Sequence, residues 1–285
     1  MSLIANRVTI LGLGLIGGSW ALALKKAGVV SEVIAWGRNQ ARLDKAVAMG
    51  VVDSATTDMA VAVRDADVVV IATPLGTLSV VFEQLVPVLP ESAVVTDVGS
   101  AKSEVISLAR ERLGKGFPRF VPGHPVAGAE HSGFEAAIAE LFQNRRVVLT
   151  PVAETDENAL KMITALWQEG GAEIINMDAN THDDILALTS HLPHVVAYLL
   201  VDLLAAQNNE EMKRFAAGGF YDITRIASSS PEMWRDIFKD NKASVVALLD
   251  QYKESLEQFR TAIIDADDEY LMQVMQRAKS TRDSL

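Results

Sequence analysis

Four residues of buried-strand character, Val8-Thr9-Ile10-Leu11, run directly into Gly12-Leu13-Gly14-Leu15-Ile16-Gly17, and a helical stretch follows that ends near Gly28. The first glycine of such a turn permits its tightness. The second lets the backbone approach a pyrophosphate, and the third lets helix and strand pack closely. The helix that follows aims its unpaired N–H groups and positive dipole end at the same place. Glycine turns also occur for purely structural reasons, but this one opens a βαβ unit, the context in which it binds a dinucleotide. Gly12, Gly14, Leu15, Ile16 and Gly17 are the first candidate cofactor residues.

The alternation continues through the first half of the chain. Apolar runs at Val33-Ile34-Ala35-Trp36, Val68-Val69-Val70-Ile71-Ala72, Ala93-Val94-Val95-Thr96, Arg119-Phe120-Val121 and Arg146-Val147-Val148-Leu149 read as strands separated by helices. A helix over residues 157–168 and a strand over 173–177 close the pattern. This predicts an α/β fold, a Rossmann-type, mostly parallel sheet covered on both faces, over residues 1–178. From about Asn180 the period becomes helical. Residues 183–206 are strongly apolar, with Pro193 expected to kink or interrupt a helix there. Residues 241–262 and 268–278 give two more helices. An all-helical dimerisation domain over 179–285 is expected, because helices too apolar for a surface need a partner, here a second copy of the chain.

Lys plus Arg number 26 against 37 Asp plus Glu, a net charge of −11. That balance argues against nucleic acid or an anionic membrane as partner, and it leaves room for a small anionic substrate in a local positive pocket. Cysteine is absent, which removes disulfides and thiolate metal sites, and no metal is expected. No unbroken run of about eighteen apolar residues predicts a membrane span. No signal-peptide pattern precedes the first strand, so a cytoplasmic location is expected.

At the end of the second strand stands Trp36-Gly37-Arg38-Asn39. An acidic residue here would bind the ribose hydroxyls of NAD. Gly37 removes a carboxylate that would repel a 2′-phosphate, and Arg38 offers a permanently charged fork to bind one. A solvated surface arginine is the competing reading. Gly37, Arg38 and Asn39 favour NADP, with NAD second, and Thr73 and Pro74 beyond the run at 68–72 complete the cofactor set.

Two further segments follow sheet strands and so reach the carboxyl ends where open α/β sheets bind ligands. They are Asp97-Val98-Gly99-Ser100-Ala101-Lys102 and Gly123-His124-Pro125-Val126-Ala127-Gly128-Ala129-Glu130. A histidine placed there can take the proton released when an alcohol loses hydride, and Ser100 could orient that imidazole or the hydroxyl. A loop histidine held by local hydrogen bonds and a plain Gly-Ser turn remain open.

These motifs occur in register with Ser190-His191-Leu192-Pro193-His194, with Gly218-Gly219-Phe220-Tyr221-Asp222-Ile223-Thr224-Arg225-Ile226-Ala227 and with Met233-Trp234-Arg235-Asp236. Together they resemble the prephenate/arogenate dehydrogenase family of tyrosine biosynthesis, from about Arg7 to the last helices. The resemblance implies oxidative decarboxylation of prephenate to 4-hydroxyphenylpyruvate, with hydride passing to NADP and without a metal. It makes His124 the proton acceptor and Ser100 its neighbour at the substrate hydroxyl. It assigns Arg225 to a substrate carboxylate, and His194, Glu130 and Trp234 to substrate binding, while Asp183 falls near the pocket entrance. A salt bridge for Arg225, a solvated Glu130 and interface packing for Trp234 are the competing roles. His191 is expected to be structural, and Tyr221 stands where some relatives carry lysine.

Arogenate, or both substrates, is the alternative within the family. Another NADP-dependent reductase would leave His124, His194 and Arg225 unexplained together. A catalytically silent NADP-sensing interaction protein would be expected to lack Ser100 or His124. The regulatory ACT or chorismate mutase domains fused to some relatives are not expected here, so inhibition by tyrosine is expected to compete in the substrate pocket.

Overall fold

The computed structural model describes residues 3–128 and 132–285. The apolar runs form a six-stranded sheet in the order β3-β2-β1-β4-β5-β6, with every neighbouring pair parallel. Its strands are β1 (Ala5–Leu11), β2 (Val30–Trp36), β3 (Ser54–Thr56), β4 (Val68–Ile71), β5 (Val94–Asp97) and β6 (Phe120–Val121). Both faces are covered, which is why the central strands read as unbroken Val and Ile runs rather than as an alternation. Strand order reverses between β1 and β4, so a crevice opens beside the glycine turn.

Helices α1 (Leu15–Ala27), α2 (Gln40–Ala48), α3 (Met59–Val63), α4 (Leu78–Leu85) and α5 (Ser103–Leu113) connect these strands. Local chemistry sets several of their ends. Gly28 closes α1 in the left-handed conformation, Asn39 caps α2 by accepting from the Arg42 N–H, and Asp58 caps α3. One core layer packs Val8, Ile10 and Val33 under α1, where Trp20 and Trp167 stack at 3.9 Å. The opposite layer packs Leu11, Val69 and Ile71 under Phe82 and Phe120.

A second, three-stranded sheet departs from the expected pattern. Its strands are β7 (Gly123–Pro125), β8 (Arg146–Leu149) and β9 (Glu173–Asn176), and β7 runs antiparallel to β8. Helix α6 (Glu157–Glu169) joins β8 to β9. Two strands were not legible in the sequence. β3 has no apolar run, and β7 is only three residues long, with glycine and proline at its ends. His124 therefore stands in a strand, not in a loop.

The remaining elements are helical: α7 (Ala179–Leu186), α8 (Leu192–Ala206), α9 (Glu210–Arg214), α10 (Gly218–Thr224), α11 (Pro231–Asp240), α12 (Lys242–Ile264) and α13 (Asp268–Asp283). Pro193 interrupts the long apolar stretch in an unexpected way. It sits in the first turn of α8, where its missing N–H is tolerated, and a wide π turn, Ala187–His191, lies just before it. Nine residues of regular helix would set His191 about half a turn from His182. The π turn swings it back toward the same side.

The continuous stretch Ala179–Ala206 is long and apolar enough, by length and composition, to cross a bilayer, although charged residues interrupt its apolar runs. Its buried His182, Asp183 and His191 face protein partners, as polar groups in a packed interior do. Several contacts fasten these helices to the sheet domain. Asp183 accepts hydrogen bonds from the Lys102 and Ser103 N–H groups at the start of α5, at 2.8 and 2.9 Å. The Asp236 carboxylate of α11 fills the space beside Gly76, where a Cβ would overlap it.

The Trp20–Trp167 stack carries much of the first core layer. Trp167→Ala is expected to lower unfolding free energy by about 3–5 kcal/mol in urea titrations, and a loss below about 1 kcal/mol would show that this layer does not support the fold.

Candidate active site

The crevice between β1 and β4 is shaped by what its glycines avoid. Gly12 holds a φ of +94°, and a Cβ there would lie 2.7 Å from Thr73 Cγ2. A Cβ on Gly17 would lie 2.7 Å from the Gly12 carbonyl oxygen and 2.9 Å from Ile10 Cγ2. A Cβ on Gly14 would meet nothing within 4 Å. Gly14 thus borders open space at the N-terminus of α1, where no side chain caps the helix. Leu15 and Ile16 form its first turn, half-buried against the core. Beside the turn, the Thr73 Oγ1 is buried without a hydrogen-bond partner among the described residues, and Pro74 follows it, exposed, at the start of a 3-10 turn. An open cradle of N–H groups beside an orphaned hydroxyl fits a bound pyrophosphate.

At the end of β2 the Gly37 N–H reaches the Thr56 carbonyl at 3.4 Å. Arg38 is exposed and forms no ion pair among the described residues. Asn39, exposed as well, spends its side-chain oxygen on the cap of α2.

The second half of the site is a chain of buried polar groups. His124, 7% exposed, places its Nδ1 2.8 Å from His182 Nε2, and His182 Nδ1 lies 2.8 Å from Asp183 Oδ1. Burial opposes the charge on Asp183, but the His182, Ser103 and Lys102 hydrogen bonds prevail and hold its carboxyl below the usual range. An ionised carboxylate only accepts, so His182 carries its proton on Nδ1 and presents a bare Nε2. His124 must then donate from Nδ1, which leaves its own Nε2 as a free acceptor. Burial, with neighbouring His182, Lys102 and His191 adding to it, holds the His124 pKa well below the ordinary histidine value. His124 is a neutral base with a fixed tautomer.

Behind β7, Lys102 is fully buried against Asp97 and donates to the Gly123 carbonyl at 2.8 Å. Burial pushes its pKa down against the pull of Asp97. Asn241 donates to the Asp183 carbonyl at 2.7 Å and to His191 Nδ1 at 3.1 Å. Burial lowers the His191 pKa to about 4, so this imidazole is neutral. His194 donates from Nδ1 to the Ser190 carbonyl at 2.9 Å and stacks on Trp234 at 3.5 Å. Its pKa is lowered by burial and by the nearby Arg225 charge. The structure therefore brings His194, Arg225 and Trp234 together.

Other expected residues fall differently. Ser100 is half-buried and makes no hydrogen bond to His124; His182 orients that imidazole instead. Asp183 is not at an entrance: it is buried, 3% exposed. Tyr221 is exposed, and Glu130 lies outside the described residues. His182, Asn241, Asp97 and Lys102 were missed as a set. The signal for them was faint: a His-Asp pair at the head of an apolar helix, and an acid five residues before a lysine at a strand end.

A parallel sheet with a pyrophosphate cradle at its switch point and a neutral imidazole held beyond it define the class: a dinucleotide-dependent oxidoreductase. The sequence narrows that class. Residues 20–176 match the nucleotide-binding domain of prephenate dehydrogenase and residues 178–277 match its dimerization domain. The chain belongs to the prephenate dehydrogenase family. A cyclohexadienyl dehydrogenase from Zymomonas mobilis is 37% identical over 97% of this chain and 95% of its own length. A prephenate dehydrogenase from Bacillus subtilis is 38% identical over the whole chain and 77% of its own. The crystal structure of prephenate dehydrogenase from A. aeolicus, in complex with hydroxyphenyl propionate and NAD+, superposes with a TM-score of 0.91 at 36% identity, covering 97% of each chain.

The glycines separate fold from binding. Gly12→Ala is expected to lower the melting temperature of the free protein, whereas Gly14→Ala should leave it unchanged and weaken dinucleotide binding about tenfold or more. Unimpaired binding by Gly14→Ala would move the pyrophosphate elsewhere.

Proposed function

We propose that this chain catalyses the NADP-dependent oxidative decarboxylation of prephenate to 4-hydroxyphenylpyruvate. The observation that carries the reading is the fixed tautomer of His124, whose bare Nε2 is the acceptor an alcohol oxidation needs. Gly12, Gly14, Leu15, Ile16 and Gly17 would hold the pyrophosphate, Thr73 and Pro74 would border it, and Gly37, Arg38 and Asn39 would receive the 2′-phosphate. The nicotinamide, when bound, would accept the hydride from C4 of the substrate ring.

His124 takes the hydroxyl proton at Nε2 and becomes an imidazolium. His182 passes the stabilising influence of Asp183 to that cation without itself gaining a proton. Ser100 faces the same reaction as a donor to the substrate oxygen. Arg225 pairs with a substrate carboxylate, for which a guanidinium fork is suited. His194 and Trp234, stacked on one another, form an adjoining wall, and Glu130 is retained as a residue toward the substrate side chain. Loss of the ring carboxylate as carbon dioxide and aromatisation then drive the sequence forward.

Residues 1–178 and 179–285 act as the nucleotide-binding and the dimer-forming unit. The match to a dimerization domain and the exposed Leu199, Leu203, Phe215, Ile223, Ile263 and Ile264 support a homodimer. A second substrate reading, arogenate, is favoured by one observation. With Nδ1–H committed to Ser190, His194 offers only an acceptor at Nε2, which suits an ammonium better than a ketone.

Initial rates with prephenate and arogenate, each against NADP and NAD, test the reading. The prephenate–NADP pair is expected to give the highest kcat/KM. An arogenate ratio far above one would replace the substrate, and absence of turnover with every pair would overturn the enzyme assignment. The pH profile tests the base. Because protonation of His124 removes the acceptor and its pKa is depressed, kcat/KM should stay level down through pH 6.5 and fall only below it. An acid limb at or above 6.5 would mean that His124 is not the buried neutral base described.

A further inference from the structure

Ahead of β8, residues 133–137 lie against α1 and α2. Phe134, buried, seats against Gly18 of α1, where a Cβ would come within 3.2 Å of the Phe134 Cβ. The Arg42 guanidinium lies over the Phe134 ring, 5.2 Å from its centroid. Next to it, the Glu135 carboxylate pairs with Lys45 at 3.2 Å and with Arg42 at 3.5 Å. Gly133 makes room for this fold. It holds a φ of +91°, and a Cβ there would lie 2.8 Å from Glu135 Oε2. The Glu135 backbone N–H, together with Lys45 and Arg42, holds that carboxyl below the usual range.

Arg42 and Lys45 belong to α2, the helix that starts directly after Gly37-Arg38-Asn39. The Arg42 N–H itself binds the Asn39 cap. The chain thus carries three cations, Arg38, Arg42 and Lys45, from the end of β2 into the first turns of α2. Arg38 has no acidic partner among the described residues, whereas the other two share one that a distant segment supplies.

We infer that Glu135 is a cofactor-specificity residue, an internal anion that occupies Arg42 and Lys45 in place of a 2′-phosphate and so restrains the preference of this chain for NADP over NAD. The inference rests on the cofactor site proposed at the end of β2. It gives the two nucleotides different consequences. NAD leaves the Glu135 pairs intact, while the 2′-phosphate competes for Arg42 and lessens the hold of α2 on Phe134 and Glu135. The cofactor's phosphate and the seating of Phe134 and Glu135 are thereby coupled.

Isothermal titration of the full chain with NADP and with NAD tests this without turnover. In Glu135→Gln, NADP should bind about threefold to tenfold more tightly while NAD changes by less than about twofold, and the gain should shrink as salt is raised. The carboxamide keeps a hydrogen-bond acceptor toward Lys45, so the segment stays anchored, and an unchanged melting temperature of the free protein verifies that. Arg42→Met should weaken NADP alone. An unchanged ratio of the two dissociation constants in Glu135→Gln, or an equal change for both nucleotides, would overturn the inference. The underlying reading fails separately: in the double variant Gly37→Asp, Arg38→Ile, undiminished NADP affinity would show that the 2′-phosphate does not bind at β2.

Discussion

Asp183 brings a negative charge into the seam between the sheet domain and the helices, where a carboxylate loses most of its hydration. The compensation comes from both sides of the seam. The Lys102 and Ser103 N–H groups donate to it from the start of α5, and His182 donates from its own helix. Helix α5 has no capping side chain of its own at Lys102, so a residue about eighty positions away serves as its cap. The same oxygen that docks one domain on the other sets the tautomer of His182 and, through it, that of His124. Docking and basicity are one event: an unseated α7 would leave His124 free to protonate at either nitrogen.

The charges around His124 pull in opposite directions. Lys102, buried with Asp97 directly behind β7, disfavours an imidazolium, and Asp183 favours one. Burial, the largest influence, sides with Lys102, outweighs Asp183 and keeps the resting imidazole neutral. The Lys102–Asp97 pair has a mechanical role as well, since its ammonium also holds the Gly123 carbonyl and so fixes the strand position immediately before His124. Removing either partner would leave an isolated buried charge, which is far costlier than never having had the pair.

The glycine turn and the Val-rich strands were legible because their signals are local. A sheet covered on both faces demands continuous apolar runs, and a pyrophosphate turn demands glycines at fixed spacing. His124 was legible by its place after a strand, and Arg225, His194 and Trp234 by motif. The partners of His124 were not. His182 lies 58 residues away, and only packing of α7 against α5 brings the two rings together. The resemblance put Asp183 near the pocket entrance, and its burial was not legible because burial of a charge depends on donors from another segment, which no window of sequence displays. The π turn was hidden for a related reason. Pro193 announces a disruption, but whether a helix breaks, kinks or widens depends on what its neighbours can satisfy. The same stretch has membrane-like hydropathy on average, yet three of its polar groups, His182, Asp183 and His191, are buried.

Gly76 has no side chain, and the Asp236 carboxylate occupies the place one would take. Position 76 lies in the short turn after Thr73 and Pro74, at the lip of the nucleotide crevice, while Asp236 belongs to the helix that carries Trp234. The pair acts as a spacer of minimum thickness between the two walls of the cleft. Its width is set by the absence of a single carbon atom, so the distance between the nucleotide wall and the helix wall can grow but not shrink. Any larger residue at 76 would act as a shim, parting the walls of the cleft while leaving every chemical group in place.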